Sequence, residues 1–452
     1  MRYPNALTKV LLLLAVVSIP WLALLLDSQG AEAWPVRYNG PGNWDDHPTA
    51  LALDGQGNVY VTGASYGAQW NSDYATIKYS LTGQRLWVRR YNGPGNGEDS
   101  PSALAVDGQG NVYVTGYVVG AGSGGDYTTI KYSPTGVLLW ARRYNSPGNG
   151  DDYARALAVD AQGNVYVTGA SKGGDSGYDY VTIKYASNGS QLWLRRYNGP
   201  GNASDGATAL AVDAQGNVYV TGYSGPDEDY YDYVTIKYSS TGQRLWVRRY
   251  NGPADGHDAA YLLAVDAQGN VYVTGNSDGG ASYIDYATIK YNSNGGLLWV
   301  RRYNGSANGE DRPRALALDN QGNVYVTGES VGAGSYHDYL TIKYGPTGQR
   351  LWAKRYKGTA NASDVATALA VDAQGNVYVT GDAQEAGSSP NYTTIKYSPT
   401  GVRLWTKRYN GPENGYDAAR ALAVDAQGNV YVTGTSFQMS SGSDYVTIKY
   451  SQ

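Results

Sequence analysis

Cysteine is absent from the 452 residues. That excludes disulfides, thiol chemistry and a lipid-anchored cysteine, so stability has to come from packing and from closure of whatever the chain builds. Histidine is nearly absent. His47, His257 and His337 occupy three different repeat positions, all in stretches read as loops. With no second histidine nearby in sequence, they form no zinc pattern. Excess charge is also lacking. A net charge of −4 leaves no basic footprint for nucleic acid. Helical periodicity is missing from residue 34 onward, which excludes a helical array.

A single phrase takes the place of these features. "ALAVDAQGNVYVTG", with small variations, recurs so that its Asp falls at Asp54, Asp107, Asp160, Asp213, Asp266, Asp319, Asp372 and Asp425. Every step is 53 residues. The Lys of "TIKY" keeps the same step from Lys78 to Lys449. A fixed period of this size marks a propeller or an array. The composition of 42% hydrophobic and 16% charged residues, with 60 Gly and 44 Tyr, is globular and leans to β.

Residues 1–33 differ from the rest. Arg2 and Lys9 precede an apolar run from Val10 to Leu26, and Ala31-Glu32-Ala33 has the form of a cleavage site. This predicts a secretory signal peptide, with an uncleaved anchor as the alternative. Either orientation rule places the repeats outside the cytoplasm. Cleavage leaves no membrane insertion and a secreted or surface-held monomer.

Each unit reads as four strands. In the first, 50–54 is small and apolar, and 58–65, 73–80 and 85–92 are rich in Val, Ile, Thr, Tyr and Trp. Gly57 and Gly83 fit hairpin turns. Side chains grow from "ALAL" in the first strand to "RLWVRRY" in the last. Small strands fit near the axis of a ring and large ones near its rim, so the first strand is predicted innermost. The stretch 34–40, "WPVRYNG", matches only a fourth strand, and 444–452 ends after a third. The sequence therefore predicts an all-β, eight-bladed propeller of four-stranded antiparallel blades over 34–452. A 1+3 blade closes it and removes both free edges.

"DAQGNVYVTG" and "YDYVTIKYSSTGQRLWVRRYNG" resemble the bacterial SBBP β-propeller repeat across essentially all of 34–452. The family name implies seven blades, whereas this chain counts eight. The resemblance implies export and a propeller, and carries over no catalytic residues.

The first-to-second and third-to-fourth turns are nearly uniform and share one face. The second-to-third loops diverge, from "YGAQWNS" to "FQMSSGS", and share the other face with the blade connections. Function is expected on this second face. It also carries Asp46, Asp99, Asp152, Asp205, Asp258, Asp311, Asp364 and Asp417, each four residues before an innermost strand. Placed around a channel mouth, they predict a site for a cation or cationic partner. The other reading is a carboxylate that caps the incoming connection, and its presence in all eight blades favours that reading. Trp44 and Trp70 suit a sugar or protein surface. Asp227, Asp229 and Asp232, in "GPDEDYYDY", are weak calcium candidates whose spacing fits no known loop. The Lys78 and Arg90 series should form structural networks with the Asp54 and Asp73 series, the latter being Asn391 in blade seven.

The leading expectation is an exported, non-catalytic binding or scaffold module without a cofactor, engaging a protein or a surface glycan and no nucleic acid. The alternative is a propeller enzyme, a quinone-dependent dehydrogenase, lyase or glycosidase, using the same face. "PTGQRLW" faintly resembles the tryptophan-docking phrase of the quinone enzymes, but their adjacent cysteines are absent. A deep, asymmetric pocket would favour the enzyme, and a flat, eight-fold face would favour binding.

Overall fold

The reason "DAQGNVY" recurs is a hydrogen-bonded turn. In blade one, Asp54 Oδ1 accepts the backbone N–H groups of Gln56 and Asn58 at 3.0 and 2.9 Å. Its Oδ2 accepts Asn58 Nδ2 and the Tyr60 hydroxyl at 2.7 and 2.9 Å. Gly57 sits at φ +79°, which only glycine adopts without strain. Each such turn joins two antiparallel strands. In the computed structural model, residues 34–452 are described apart from Asp175, Glu228, Asp229, Ser282 and Ser335. The stretch 1–33 read as a signal lies outside the described residues.

Blade one comprises Asp46–Leu53, Val59–Tyr66, Ser72–Tyr79 and Arg85–Tyr91, paired in that order. Eight such sheets form the ring. First strands of neighbouring blades lie against one another, so the small "ALAV" strands are innermost. Blade eight takes three strands from Asp417–Val424, Val430–Gln438 and Gly442–Tyr450, and its outer strand is Val36–Tyr38. Val36, Arg37 and Tyr38 pair with Thr447, Val446 and Tyr445. The closure is 1+3.

The core lies between blades rather than within them. A typical cluster joins Tyr113, Tyr127 and Trp140 of blade two to Ala154, Val165 and Ile183 of blade three. Trp140 Nε1 donates to the Ser187 carbonyl at 3.1 Å, and Arg142 Nε donates to the Gly189 carbonyl at 2.6 Å. The outer Trp thus docks on the next blade's hairpin turn.

The Lys78 ammonium is buried. It donates to the Pro134 carbonyl at 3.2 Å, lies 5.0 Å from the Tyr60 ring centre and 3.9 Å from Asp54. The Arg90–Asp73 pair forms at 2.7 Å, and Arg196–Asp179 at 2.6 Å. In blade seven, where Asn391 stands at the Asp position, Arg408 turns to Glu385 at 2.5 Å. Glu385 also accepts the Thr359 N–H at 3.2 Å. Glu385→Ala should therefore lower stability by about 1 kcal/mol. Adding Asn391→Asp should recover roughly half, read as the urea midpoint. A double variant no better than the single one would refute the equivalence.

Two local expectations need correction. The innermost strand does not begin at residue 50 but at Asp46 in blade one, and at the equivalent Asp in blades three, five, six and eight. A β-bulge lies within it, between Pro48 and Ala50, and breaks the alternation that would have revealed the longer strand. His47 is therefore a strand residue, as is His337, the first residue of His337–Tyr344.

Candidate functional site

The eight aspartates do not open on the channel mouth. All are fully buried. Asp99 Oδ2 accepts the Gly93 N–H at 2.5 Å, and its Oδ1 accepts the Val119 N–H at 2.9 Å. Asp364 repeats this with Gly358 and Gln384 at 2.6 and 2.8 Å. Each carboxylate ties the incoming connection to its own blade. Burial raises their pKa values, to about 6 for Asp46 and Asp99, despite the opposing backbone donors. Of the two readings the capping one holds and the cation ring does not: the eight carboxylates are structural staples, carried inside because the strand begins earlier than its pattern suggests.

The residue three places on faces the channel instead. It is the extra residue of the bulge in every blade: Thr49, Ser102, Arg155, Thr208, Tyr261, Arg314, Thr367 and Arg420. A bulge re-aims its side chain out of the ladder. Opposite it, Gly63 leaves room that a Cβ would take from the His47 carbonyl. At Ser102, Thr208 and Thr367 the hydroxyl donates to the next blade's inner strand, at Ala154, Ala260 and Ala419, at 2.7–2.8 Å. At Arg155, Tyr261, Arg314 and Arg420 the side chain is exposed.

The eight-fold symmetry fails at this level. Blades two to five surround a basin of about 1120 Å³. Its walls include Tyr117, Tyr153, Tyr223, Tyr231 and Tyr261, with Arg155 and His257. Tyr117 meets Tyr153 edge-on at 5.5 Å, and Tyr223 meets Tyr231 edge-on at 5.2 Å. His257 lies 5.6 Å from Tyr231, and the Arg155 guanidinium is 5.6 Å from the Tyr153 ring centre. Burial first, and Asp151 second, push the Tyr153 hydroxyl up to about 12. The basin is on the face carrying the variable loops.

Trp44 and Trp70 lie on the same face but line no part of the basin. Their rings stack at 4.1 Å and are 45% and 66% exposed. Trp70 holds φ +66°, a left-handed conformation uncommon for a bulky residue. Asp232 pairs with Arg249 at 3.4 Å, Asp227 accepts the Tyr230 N–H at 3.1 Å, and Asp229 lies outside the described residues. Among the described residues no cluster of three His, Asp or Glu is placed to hold a metal ion.

A family model described as the SBBP β-propeller repeat matches residues 86–117, 139–175, 298–334 and 352–386. The chain carries SBBP propeller repeats. The chain is 23% identical over 488 residues to an uncharacterised WD repeat-containing protein, L264, of Acanthamoeba polyphaga mimivirus. That match covers 87% of the chain and 33% of the relative, so the chain spans about a third of its relative's length. Among solved structures, puromycin hydrolase is similar over 88% of this chain and 59% of its own, at 13% identity and TM-score 0.49. Drosophila plexin A, solved with semaphorin 1b, is similar over 91% of this chain and 86% of its own, at 10% identity and TM-score 0.42.

The other half of the mouth is charged rather than aromatic. Arg314 pairs with Glu329 at 2.7 Å, and Arg312 pairs with Glu310 at 2.6 Å. Burial pushes Asp382 up to about 6, opposed by Arg420. Sequence reasoning missed every residue of this mouth except those in its loops. The signal was present: the residue before each "ALAV" reads Thr, Ser, Arg, Thr, Tyr, Arg, Thr, Arg between near-constant neighbours.

Proposed function

We propose that this chain is an exported, non-catalytic binding propeller that holds a glycan on its variable-loop face. One observation carries the reading: an open basin walled by five tyrosines in blades two to five of an otherwise repetitive ring. Aromatic rings with a polar edge stack on sugar faces while their hydroxyls bond to sugar oxygens. The exposed Trp44–Trp70 pair supports the same chemistry. Export rests on the signal-like stretch 1–33. The asymmetric pocket alone would suit an enzyme, but among the described residues its lining includes no Asp or Glu to act as a proton donor or nucleophile.

The test is thermal unfolding against a polysaccharide panel. A ligand that binds only the folded state adds about 2.7 kcal/mol at a hundred times its dissociation constant. A saturable shift that disappears in Tyr153→Ala is expected. No shift with any glycan would refute the reading and point to a protein partner.

A second reading, glycoside hydrolysis, is favoured by one observation at the opposite rim. Glu329 is held by Arg314, while Asp382 on the next blade is raised to about 6. A carboxyl raised toward neutrality suits a general acid, with the ion-paired Glu329 as its carboxylate partner. Release of reducing ends, lost in Asp382→Asn, would establish it.

A further inference from the structure

The basin has a chemical bias that glycan binding alone does not require. The chain carries 39 acidic and 35 basic residues, yet among the described residues no carboxylate lines this basin. Its one arginine, Arg155, is exposed and is aimed into the channel by the bulge between Ala154 and Ala156. The other arginines of the mouth are compensated. Arg314 meets Glu329 and Arg312 meets Glu310, and Arg420 shares a smaller pocket with Asp382. Among the described residues Arg155 makes no ion pair, and its guanidinium lies 5.6 Å from the Tyr153 ring centre. The guanidinium is thus held against an aromatic wall with its donors unspent. A planar fork of N–H donors matches a carboxylate in two parallel hydrogen bonds.

We propose that the basin selects an acidic glycan, seating a sugar carboxylate on Arg155 while the tyrosines hold the ring. The assignment rests on the glycan-binding reading above and deepens it. Arg155 is the specificity determinant, and Tyr153, stacked beneath it, is its positioning residue. Because the contact is electrostatic and open to solvent, binding weakens with salt.

The experiment uses the full chain and two matched pairs of probes: polygalacturonate against its methyl ester, and alginate against neutral dextran. Binding is measured by calorimetry at low and high salt. The acidic member of each pair should bind at least tenfold more tightly, and salt should narrow the difference. Arg155→Gln should abolish the preference while leaving the thermal midpoint unchanged, since the side chain is exposed. Arg155→Lys should keep part of it, because charge remains without the fork. Arg420→Gln, on the opposite half of the mouth, should keep all of it. Equal binding of acidic and neutral probes overturns the acidic assignment and leaves glycan binding standing. Loss of the preference in Arg420→Gln but not Arg155→Gln overturns the role of Arg155. Binding of neither probe overturns both readings.

Discussion

Excising residues 34–39 lowers the stability of the ring by on the order of 5 kcal/mol, the largest effect expected from any short deletion. These residues form the outer strand of blade eight, and their loss has three separate consequences. The Gly442–Tyr450 strand becomes an unpaired edge where Val36, Arg37 and Tyr38 had paired. Asp444, fully buried, loses the Arg37 guanidinium at 2.9 Å, and a buried carboxylate without its partner is strongly destabilising. The seam between blades eight and one loses Trp34, packed 6.0 Å from Tyr79 and 5.9 Å from Tyr431, together with the buried Tyr38 ring. The measurement is the urea midpoint of the full chain with and without the deletion. An unchanged midpoint would refute the closure argument. Restoring the strand in trans, as a peptide of residues 34–43, should raise the midpoint again in a concentration-dependent way.

The second large effect is a stability that falls as pH rises from about 4 to about 7. The staples Asp46 and Asp99 are raised by burial to about 6, against 3.8 for the exposed group. Asp152, Asp205, Asp258, Asp311, Asp364 and Asp417 are raised in the same direction for the same first cause. Between pH 4 and 6 the folded chain therefore binds more protons than the unfolded chain. Its stability is fullest below 3.8 for these groups and is lost as pH passes through their folded values. Asp46 and Asp99 each contribute about 1 to 3 kcal/mol to the slope. The turn carboxylates Asp54, Asp107, Asp160 and Asp319 act oppositely, since their hydrogen bonds lower them. Their contribution is present at pH 5 and lost in stronger acid. Together the two sets place the maximum near pH 4 to 5. Urea midpoints measured from pH 4 to 8 test this. Asp46→Asn with Asp99→Asn should flatten the slope between pH 4.5 and 7. A midpoint that rises over that range would overturn the assignment.

Much of the architecture was legible because the same folding problem is solved eight times. "DAQGNVY" states its turn outright: the carboxylate, the Gly at positive φ, the Asn and the Tyr each have a bond to make within six residues. The taper from "ALAV" to "RLWVRRY" is enough to order the strands from axis to rim. Arg90 and Asp73 could be paired from strand direction alone, whereas Glu385, which takes the Asp role beside Asn391, came only from the structure. The candidate site was less legible. The aspartates stood out because they repeat, and repetition proved to mark structure. Arg155 and Tyr261 stood in plain view but carried no local pattern, since nothing nearby in sequence records a bulge.

The sequence alone therefore determined the unit, its four strands, the count of eight and the closing strand, because these depend on period, turn chemistry and local alternation. Only the tertiary structure decided which side chains reach the mouth. That depends on a bulge set by pairing with a strand more than ten residues away. It also depends on rings from four separate blades meeting around one axis. Contacts of that kind are set by how blades close on one another, and no short stretch of chain contains them.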